Sequence, residues 1–151
     1  MPVKKFITAY LQDAKLMQLA TSKDNQPWVC SVWFAADDDL NIYWFSSISR
    51  RHSKEVINNI QVAAAIVLPL TPDDPPRGLQ LQGFAQILTD QNDIDKATSL
   101  FTGRIFSREK IMEFMKDQEK PHRFYKIMPK QFVLFDVVNF PDNPRQELNL
   151  S

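Results

Sequence analysis

Hydroxyl and guanidinium groups are concentrated between residues 46 and 51, where the chain reads SSISRR. This stretch follows an aromatic run and precedes an apolar-periodic segment that predicts a helix. The arginine fork suits phosphate oxygens, and the free amides and dipole at a helix start also favour an anion. Ser46, Ser47, Ser49, Arg50 and Arg51 are therefore candidate donors for a phosphate site.

Taken alone, this stretch is explained equally well by two solvated arginines beside a capping serine. Ser49 is the expected N-cap of a helix that begins near Arg50. A cation at a helix N-terminus costs about 0.3–1 kcal/mol, because charge and dipole have the same sign. A bound dianion would reverse that sign. Tyr43, Trp44 and Phe45 on the preceding strand supply a wall for a flat ring, and this context favours the phosphate interpretation.

The composition limits the classes of protein. A chain of 151 residues is typical of one domain, here residues 1–151. Lysine plus arginine equals aspartate plus glutamate at 18 each, so no overall charge favours nucleic acid. The single cysteine, Cys30, indicates a reducing compartment, and the longest apolar run, 62–70, is too short to span a bilayer. We expect a cytoplasmic protein that binds neither nucleic acid nor membrane.

Hydrophobic periodicity predicts a mainly β fold with about six strands and three to four helices. The strand-like runs are 15–21, 28–34, 40–45, 61–68, 78–90, 123–128 and 131–138. The run 28–34 carries apolar residues on both faces, which predicts burial on two sides. Gly83 interrupts an alternating run and predicts a bulge or a close backbone approach. Short turns join most strands, which favours an antiparallel barrel flanked by helices.

Four segments have helical spacing. The predicted inner faces are Phe6, Ile7, Tyr10 and Leu11; Val56, Ile57 and Ile60; Ile94, Ala97, Leu100 and Phe101; and Ile111, Phe114 and Met115. Gly103 is placed to end the third helix.

The order of these segments resembles the flavin-binding split-barrel family of pyridoxamine 5'-phosphate oxidase. The resemblance is carried by PWVCSVWF, an acidic turn, LNIYWF, SSISRR, a helix and GLQLQGFAQI, and by the closing NFPDNPRQEL, which is similar to the family's short uncharacterised branch. It implies a six-stranded antiparallel split β-barrel that forms a homodimer, with FMN between the two subunits.

The resemblance also implies roles for single residues. Arg50 and Arg51 match the segment that grips the FMN phosphate, and Ser46 and Ser47 lie in the adjoining loop. The strand residues that match the edge of the isoalloxazine ring are Cys30, Ser31, Val32 and Phe45. Gln80 falls near a glutamine position of the family. The tail lacks the histidine with which the oxidases position pyridoxal phosphate, so pyridoxamine oxidation is not expected.

Three functions follow. The first is an FMN-dependent oxidoreductase that acts on an unidentified small substrate, with no side chain evident as its catalytic acid or base. The second is a non-catalytic module that binds flavin, deazaflavin or haem. The third is a β-barrel that acts only through protein contacts.

The remaining polar features predict little chemistry. His52 and His122 have no cysteine or acidic ligand at zinc-like spacing, so no metal site is expected. Cys30 has no evident base and is interpreted as a small core residue. The proline-rich loop 69–77 is either a mobile flap or an ordinary connection. The tryptophans are interpreted as core or dimer-interface residues.

Overall fold

The computed structural model describes residues 2–150. Its strands are β1 Leu16–Lys23, β2 Gln26–Ala36, β3 Ile42–Ser47, β4 Gln61–Ile66, β5 Arg77–Ile87, β6 His122–Asp136 and β7 Arg145–Asn149. Its helices are α1 Val3–Asp13, α2 Arg51–Asn58, α3 Gln91–Phe101 and α4 Arg108–Lys116. None of the helices within residues 2–150 has both the length and the apolar character needed to cross a membrane.

Six strands close into an antiparallel ring. Their order is β3-β2-β1-β4-β5-β6, and the pairing of β3 with β6 joins the two ends. This confirms the barrel class with flanking helices. The tail adds a seventh strand that the sequence did not predict: β7 pairs with residues 131–135 of β6, outside the ring.

β6 is one continuous strand of 15 residues, so the prediction of two separate strands is wrong. Pro129 lies within it and opposite Gly83, where the β5–β6 register shifts. A Cβ atom on Gly83 would lie 2.4 Å from the carbonyl oxygen of Met128 and 2.8 Å from Cα of Pro129. The bulge and the close approach predicted at Gly83 are both confirmed, and they explain how a proline fits inside the strand.

The interior of the ring holds the main core. Met17, Phe34 and Ile127 are fully buried there, and Trp44 stacks on Tyr125 with 4.9 Å between ring centroids. α1 covers one side and buries Ile7, Tyr10 and Leu11, as its spacing predicts, whereas Phe6 is only partly buried. A second cluster, which includes Phe45, Phe101, Ile111 and Phe124, fixes α3 and α4 against the outside of β3 and β6.

The start and end of α2 differ from the prediction. Arg50, not Ser49, is the N-cap residue, and no side chain caps the first turn. The helix has eight residues, because the chain turns into β4 soon after Asn58. Ile60 therefore lies beyond the helix, and Ile57 is exposed to 61%, so only Val56 of the predicted inner face is buried.

The outer face of β2 also departs from the prediction. Val29 is 59% exposed and Trp33 is 48% exposed, although Phe34 is buried inside the barrel. Leu16 of β1, the cross-strand partner of Trp33, is exposed to 41%. Leu16, Val29 and Trp33 are called the outer apolar face below. Within one chain, the predicted run 28–34 is therefore buried on one side only, whereas Ala35, further along the same outer face, is covered by the second cluster.

The connection from α3 to α4 is tied to α1. Gly103 follows the C-cap Thr102 with φ of +78°, which confirms it as the residue that ends α3. Arg104 donates from Nη1 to the carbonyl of Gln12 at 2.9 Å and from Nη2 to the carbonyl of Leu11 at 3.1 Å. A cation at this place satisfies carbonyls at the C-terminus of α1 and complements the helix dipole.

Candidate functional site

A cleft of about 610 Å³ opens where β2, the end of β3, the start of α2 and α4 meet. Eight of the nine residues predicted as cofactor ligands line it: Cys30, Ser31, Val32, Phe45, Ser46, Ser47, Arg50 and Arg51. They are brought together because β2 pairs with β3, and β3 runs directly into α2. The described lining residues include no aspartate or glutamate.

Gln80 is the ninth residue, and the structure does not bring it to the cleft. Pairings across the sheet put Ser31, Gln18, Ala65 and Gln80 in one row on neighbouring strands. Gln80 is thus three strands from Ser31, or about 14 Å at the usual strand spacing. Within one chain it is not among the residues that line the cleft.

Arg51 is held by two side chains that the sequence reasoning did not connect with it. Its Nε donates to Oε2 of Glu55 at 2.8 Å, and its Cζ lies 4.0 Å from the ring centroid of Trp28. Glu55 is buried at 4% exposure, and Thr21 donates to its other oxygen at 2.8 Å. The hydrogen bond from Arg51 is the main cause that lowers the pKa of Glu55. These contacts fix the guanidinium plane and leave its two Nη groups for a ligand.

Arg50 has a different environment. It is exposed, and no carboxylate forms an ion pair with it in the part of the chain that the structure describes. Its charge contributes to lowering the pKa of both His52 and His122. Arg50 therefore brings uncompensated positive charge to the cleft, whereas Arg51 brings oriented donors.

The serines form a compact hydrogen-bonded loop at the same end of the cleft. Ser47 Oγ lies 2.8 Å from Ser49 Oγ and accepts from the Ser49 amide at 3.2 Å. Ser53 donates to the Ser47 carbonyl at 2.8 Å. Ser46 Oγ lies 2.8 Å from Nε2 of His52. This network fixes the chain between β3 and α2, where both arginines begin.

An aromatic wall on the other side of the cleft was missed by sequence reasoning. Phe114 of α4 stacks on His122 with 4.6 Å between centroids, and Phe45 lies 5.1 Å from the same imidazole. Phe106 and Lys110 complete this wall, with Lys110 Nζ 5.2 Å from the Phe106 ring centroid. Phe45 was predicted, but Phe106, Lys110, Phe114 and His122 lie more than fifty positions from the arginines along the chain, and no local pattern signals their approach.

The ionisable groups of the cleft have perturbed pKa values. Burial is the main cause that lowers the pKa of His52 and of His122, and the positive charge of Arg50 is the second. Burial raises the pKa of the Cys30 thiol to about 11, which supports its interpretation as a packing residue rather than a nucleophile. Within residues 2–150, no three His, Cys, Asp or Glu side chains lie close enough to hold a metal ion. The cleft is suited to a flat, anionic ligand.

Solved structures share this fold over most of the chain. The general stress protein 26 of Bacillus anthracis has a TM-score of 0.72 at 18% identity, covering 99% of this chain and 100% of that one. The haem storage protein HutZ of Vibrio cholerae has a TM-score of 0.69 at 19% identity, covering 85% and 91%. A FAD-binding protein of Mesorhizobium loti has a TM-score of 0.62 at 20% identity, covering 87% and 90%.

The sequence itself has a curated relative and a family match. The UPF0306 protein of Haemophilus ducreyi is 24% identical over 91 residues, which span 60% of this chain and 62% of the relative. The match thus covers less than two thirds of that protein's length. The model of the family described as pyridoxamine 5'-phosphate oxidase matches residues 3–135, from α1 through almost all of β6. The chain belongs to the pyridoxamine 5'-phosphate oxidase family.

Proposed function

We propose that the chain is an FMN-binding flavoprotein that acts as an oxidoreductase on a small substrate. One observation carries the proposal: adjacent arginines at the start of α2 adjoin an aromatic-walled cleft without a carboxylate among its described lining residues. Such a cleft complements a phosphate joined to a flat ring. Family membership supports the same assignment.

The residues present fit FMN. Arg50 and Arg51 would hold the phosphate, and the hydroxyls of Ser46 and Ser47 would complete its donors. The segment from Cys30 to Val32 would lie along the edge of the ring. Phe106, Phe114 and His122, from α4 and the start of β6, would form the opposite wall.

The bound flavin would supply transfer of hydride or electrons between a reductant and the substrate. The chain's own contribution is to bind the phosphate, orient the ring and exclude water with the aromatic wall. Both histidines carry a lowered pKa, so neutral imidazoles rather than fixed cations face the ligand. Burial raises the pKa of the Cys30 thiol to about 11, so it stays protonated near neutral pH and supplies no thiolate nucleophile.

The proposal includes a homodimer with a flavin cleft at the subunit interface. The outer apolar face adjoins the cleft, since Trp33 belongs to both. Exposed apolar area of this kind marks a protein contact, and a two-fold axis would cover it on both subunits. Gln80 could then contribute only to the cleft of the partner, because its own cleft lies three strands away.

An absorption spectrum of the purified protein, followed by titration with FMN, tests the proposal. We expect a flavin spectrum and quenching of flavin fluorescence on binding. Arg50→Ala with Arg51→Ala should remove two charge-assisted contacts of about 1.5–3 kcal/mol each. Protein that binds no FMN, or a double variant with unchanged affinity, overturns the assignment. Reduction of the bound flavin by NAD(P)H within seconds would separate an enzyme from a binding module.

A haem-binding module is the second candidate. It is favoured by two imidazoles that line the cleft and have a lowered pKa, because neutral imidazole ligates iron. The fold likeness to HutZ is compatible with it. A Soret band in the isolated protein, lost in His122→Ala or His52→Ala, would decide for haem against flavin.

A further inference from the structure

A second groove, called the lysine groove below, lies beside the flavin cleft and shares one residue with it. It has a volume of about 450 Å³ and is lined by Lys23, Ser49, Arg51, Lys54 and Glu55. Arg51 lines both cavities. The guanidinium group assigned to the flavin phosphate therefore also borders a separate polar space.

A hydrogen-bonded pair of hydroxyls joins the two cavities. Ser47 lines the cleft and Ser49 lines the lysine groove, and their Oγ atoms are 2.8 Å apart. The border between the cavities consists of polar donors rather than an apolar barrier. A ligand with two linked anionic groups could place one on each side of this border.

The charge of the lysine groove favours an anion. Its only described carboxylate, Glu55, is buried and already bonded to Arg51 and Thr21. Lys23 and Lys54 are exposed and form no ion pair within residues 2–150. They come from different elements, the end of β1 and the middle of α2, so the fold rather than sequence proximity brings them together. Their mutual repulsion would be relieved by a phosphate between them.

We propose that the lysine groove binds the second phosphate of a flavin dinucleotide whose first phosphate lies at Arg50 and Arg51. The inference rests on the proposed flavin site and extends it from FMN to FAD. A phosphoanhydride places its second phosphate directly next to the first, and Arg51 borders both cavities. Lys23, Lys54 and the Ser49 hydroxyl then contact only the dinucleotide, and they discriminate it from FMN.

Dissociation constants of FMN and FAD, measured by flavin fluorescence at low salt, test this. We expect the protein to bind FAD more tightly than FMN. Lys23→Met with Lys54→Met should raise the dissociation constant of FAD about tenfold and leave that of FMN unchanged within about twofold. Both lysines are exposed, so this variant should fold normally. Lys4→Met with Lys5→Met, on the exposed side of α1, removes the same charge elsewhere and should change neither constant.

Each other outcome is informative. If the Lys23 and Lys54 variant loses affinity for FMN and FAD by the same factor, the lysines act only through their overall positive charge, and the proposed subsite is wrong. Binding of FMN without FAD would overturn the inference alone, whereas failure of both flavins would overturn the proposed function as well. If the variant weakens NADPH binding to FMN-loaded protein but not FAD binding, the groove serves a nicotinamide donor and the proposal is wrong.

Discussion

Arg51 donates from Nε to the buried carboxylate of Glu55 at 2.8 Å, one helical turn further along α2. Because a buried carboxylate left without its partner is costly, Glu55 should keep this hydrogen bond when a ligand arrives. Glu55 is therefore a positioning residue, which acts on the ligand through Arg51. The adjacent arginines therefore differ: Arg50 supplies positive charge, and Arg51 supplies hydrogen-bond donors in a fixed orientation.

Two substitutions at Glu55 separate geometry from charge. Glu55→Gln and Glu55→Met both remove the charge, but only glutamine keeps an oxygen that accepts from Arg51. We expect Gln to bind FMN within about threefold of the wild type and Met to bind it about tenfold more weakly. Riboflavin, which lacks the phosphate, should bind both variants equally. If both substitutions weaken FMN affinity equally, Glu55 acts through its charge. If the Met substitution weakens FMN affinity by the same factor when Arg51 is already alanine, Glu55 does not act through Arg51.

The histidines of the cleft should make the ligand-free protein less stable in mild acid. His52 and His122 have a pKa below the ordinary 6.5 in the folded state, first because of burial and then because of Arg50. Unfolded chains therefore bind more protons below pH 6.5, and the free energy of unfolding falls as pH falls from that value towards the lowered pKa. Urea unfolding between pH 7.5 and 5.5 measures this loss.

A matched variant identifies the group responsible for this loss. His52→Asn cannot be protonated in this range and should flatten the pH dependence, with the remainder due to His122. If a protein with both His52→Asn and His122→Asn loses stability equally steeply as pH falls, the pH dependence comes from other groups. The lowered pKa values of Asp37 and Asp136 act in a separate, more acidic window, because their ordinary value is 3.8.

Gly83 should be intolerant of even one added methyl group. A Cβ there would lie 2.4 Å from the Met128 carbonyl oxygen, which belongs to backbone and cannot move aside. Gly83→Ala should cost about 3 kcal/mol of unfolding free energy. Gly78 lies on the same strand, and its added Cβ would meet only Val67 Cγ2 at 3.8 Å, so Gly78→Ala is the control and should be nearly neutral. Similar melting temperatures for the two variants would contradict the close approach.

Val29→Glu tests the proposed homodimer without altering the cleft lining. Val29 is 59% exposed in the single chain, so the fold should tolerate a carboxylate there. In a dimer packed on the outer apolar face, each subunit would bury one unpaired carboxylate at a cost of about 3 kcal/mol, so dimer affinity should fall by more than roughly 100-fold. Sedimentation should show a monomer for this variant and a dimer for Ile57→Glu, which changes an equally exposed residue on α2. A Val29→Glu protein that remains dimeric would place the interface elsewhere.

The barrel could be predicted from the sequence because apolar alternation and turn residues mark most of its strands. β7 could not, since residues 145–149 are mostly polar and pair through backbone groups at the edge of the sheet. The interruption at Pro129 split β6 into two predicted strands, because the glycine that makes room for it, Gly83, lies on another strand. Apolar residues on both faces of the run 28–34 predicted burial on two sides, but Val29 and Trp33 on its outer face are exposed in the single chain.

The grouping of Ser46, Ser47, Arg50 and Arg51 at one end of the cleft was predictable because these residues are consecutive or nearly so. The residues that position this end of the cleft could not be predicted from the sequence. Glu55 looks like an ordinary charged helix residue, and its role depends on Thr21, which lies 34 positions earlier. The α4 wall reaches the cleft only because the second core cluster fixes that helix against β3 and β6.

The division of β6 between two partners has a consequence for the behaviour of the chain at high concentration. Its first half closes the ring with β3, while its second half is bordered by the short tail strand. If β7 detaches, the ring survives, but the amides and carbonyls of residues 131–135 that pair with it become an open edge. Such an edge recruits strands from other molecules. We therefore expect chains clipped before residue 145 to self-associate while they are still folded.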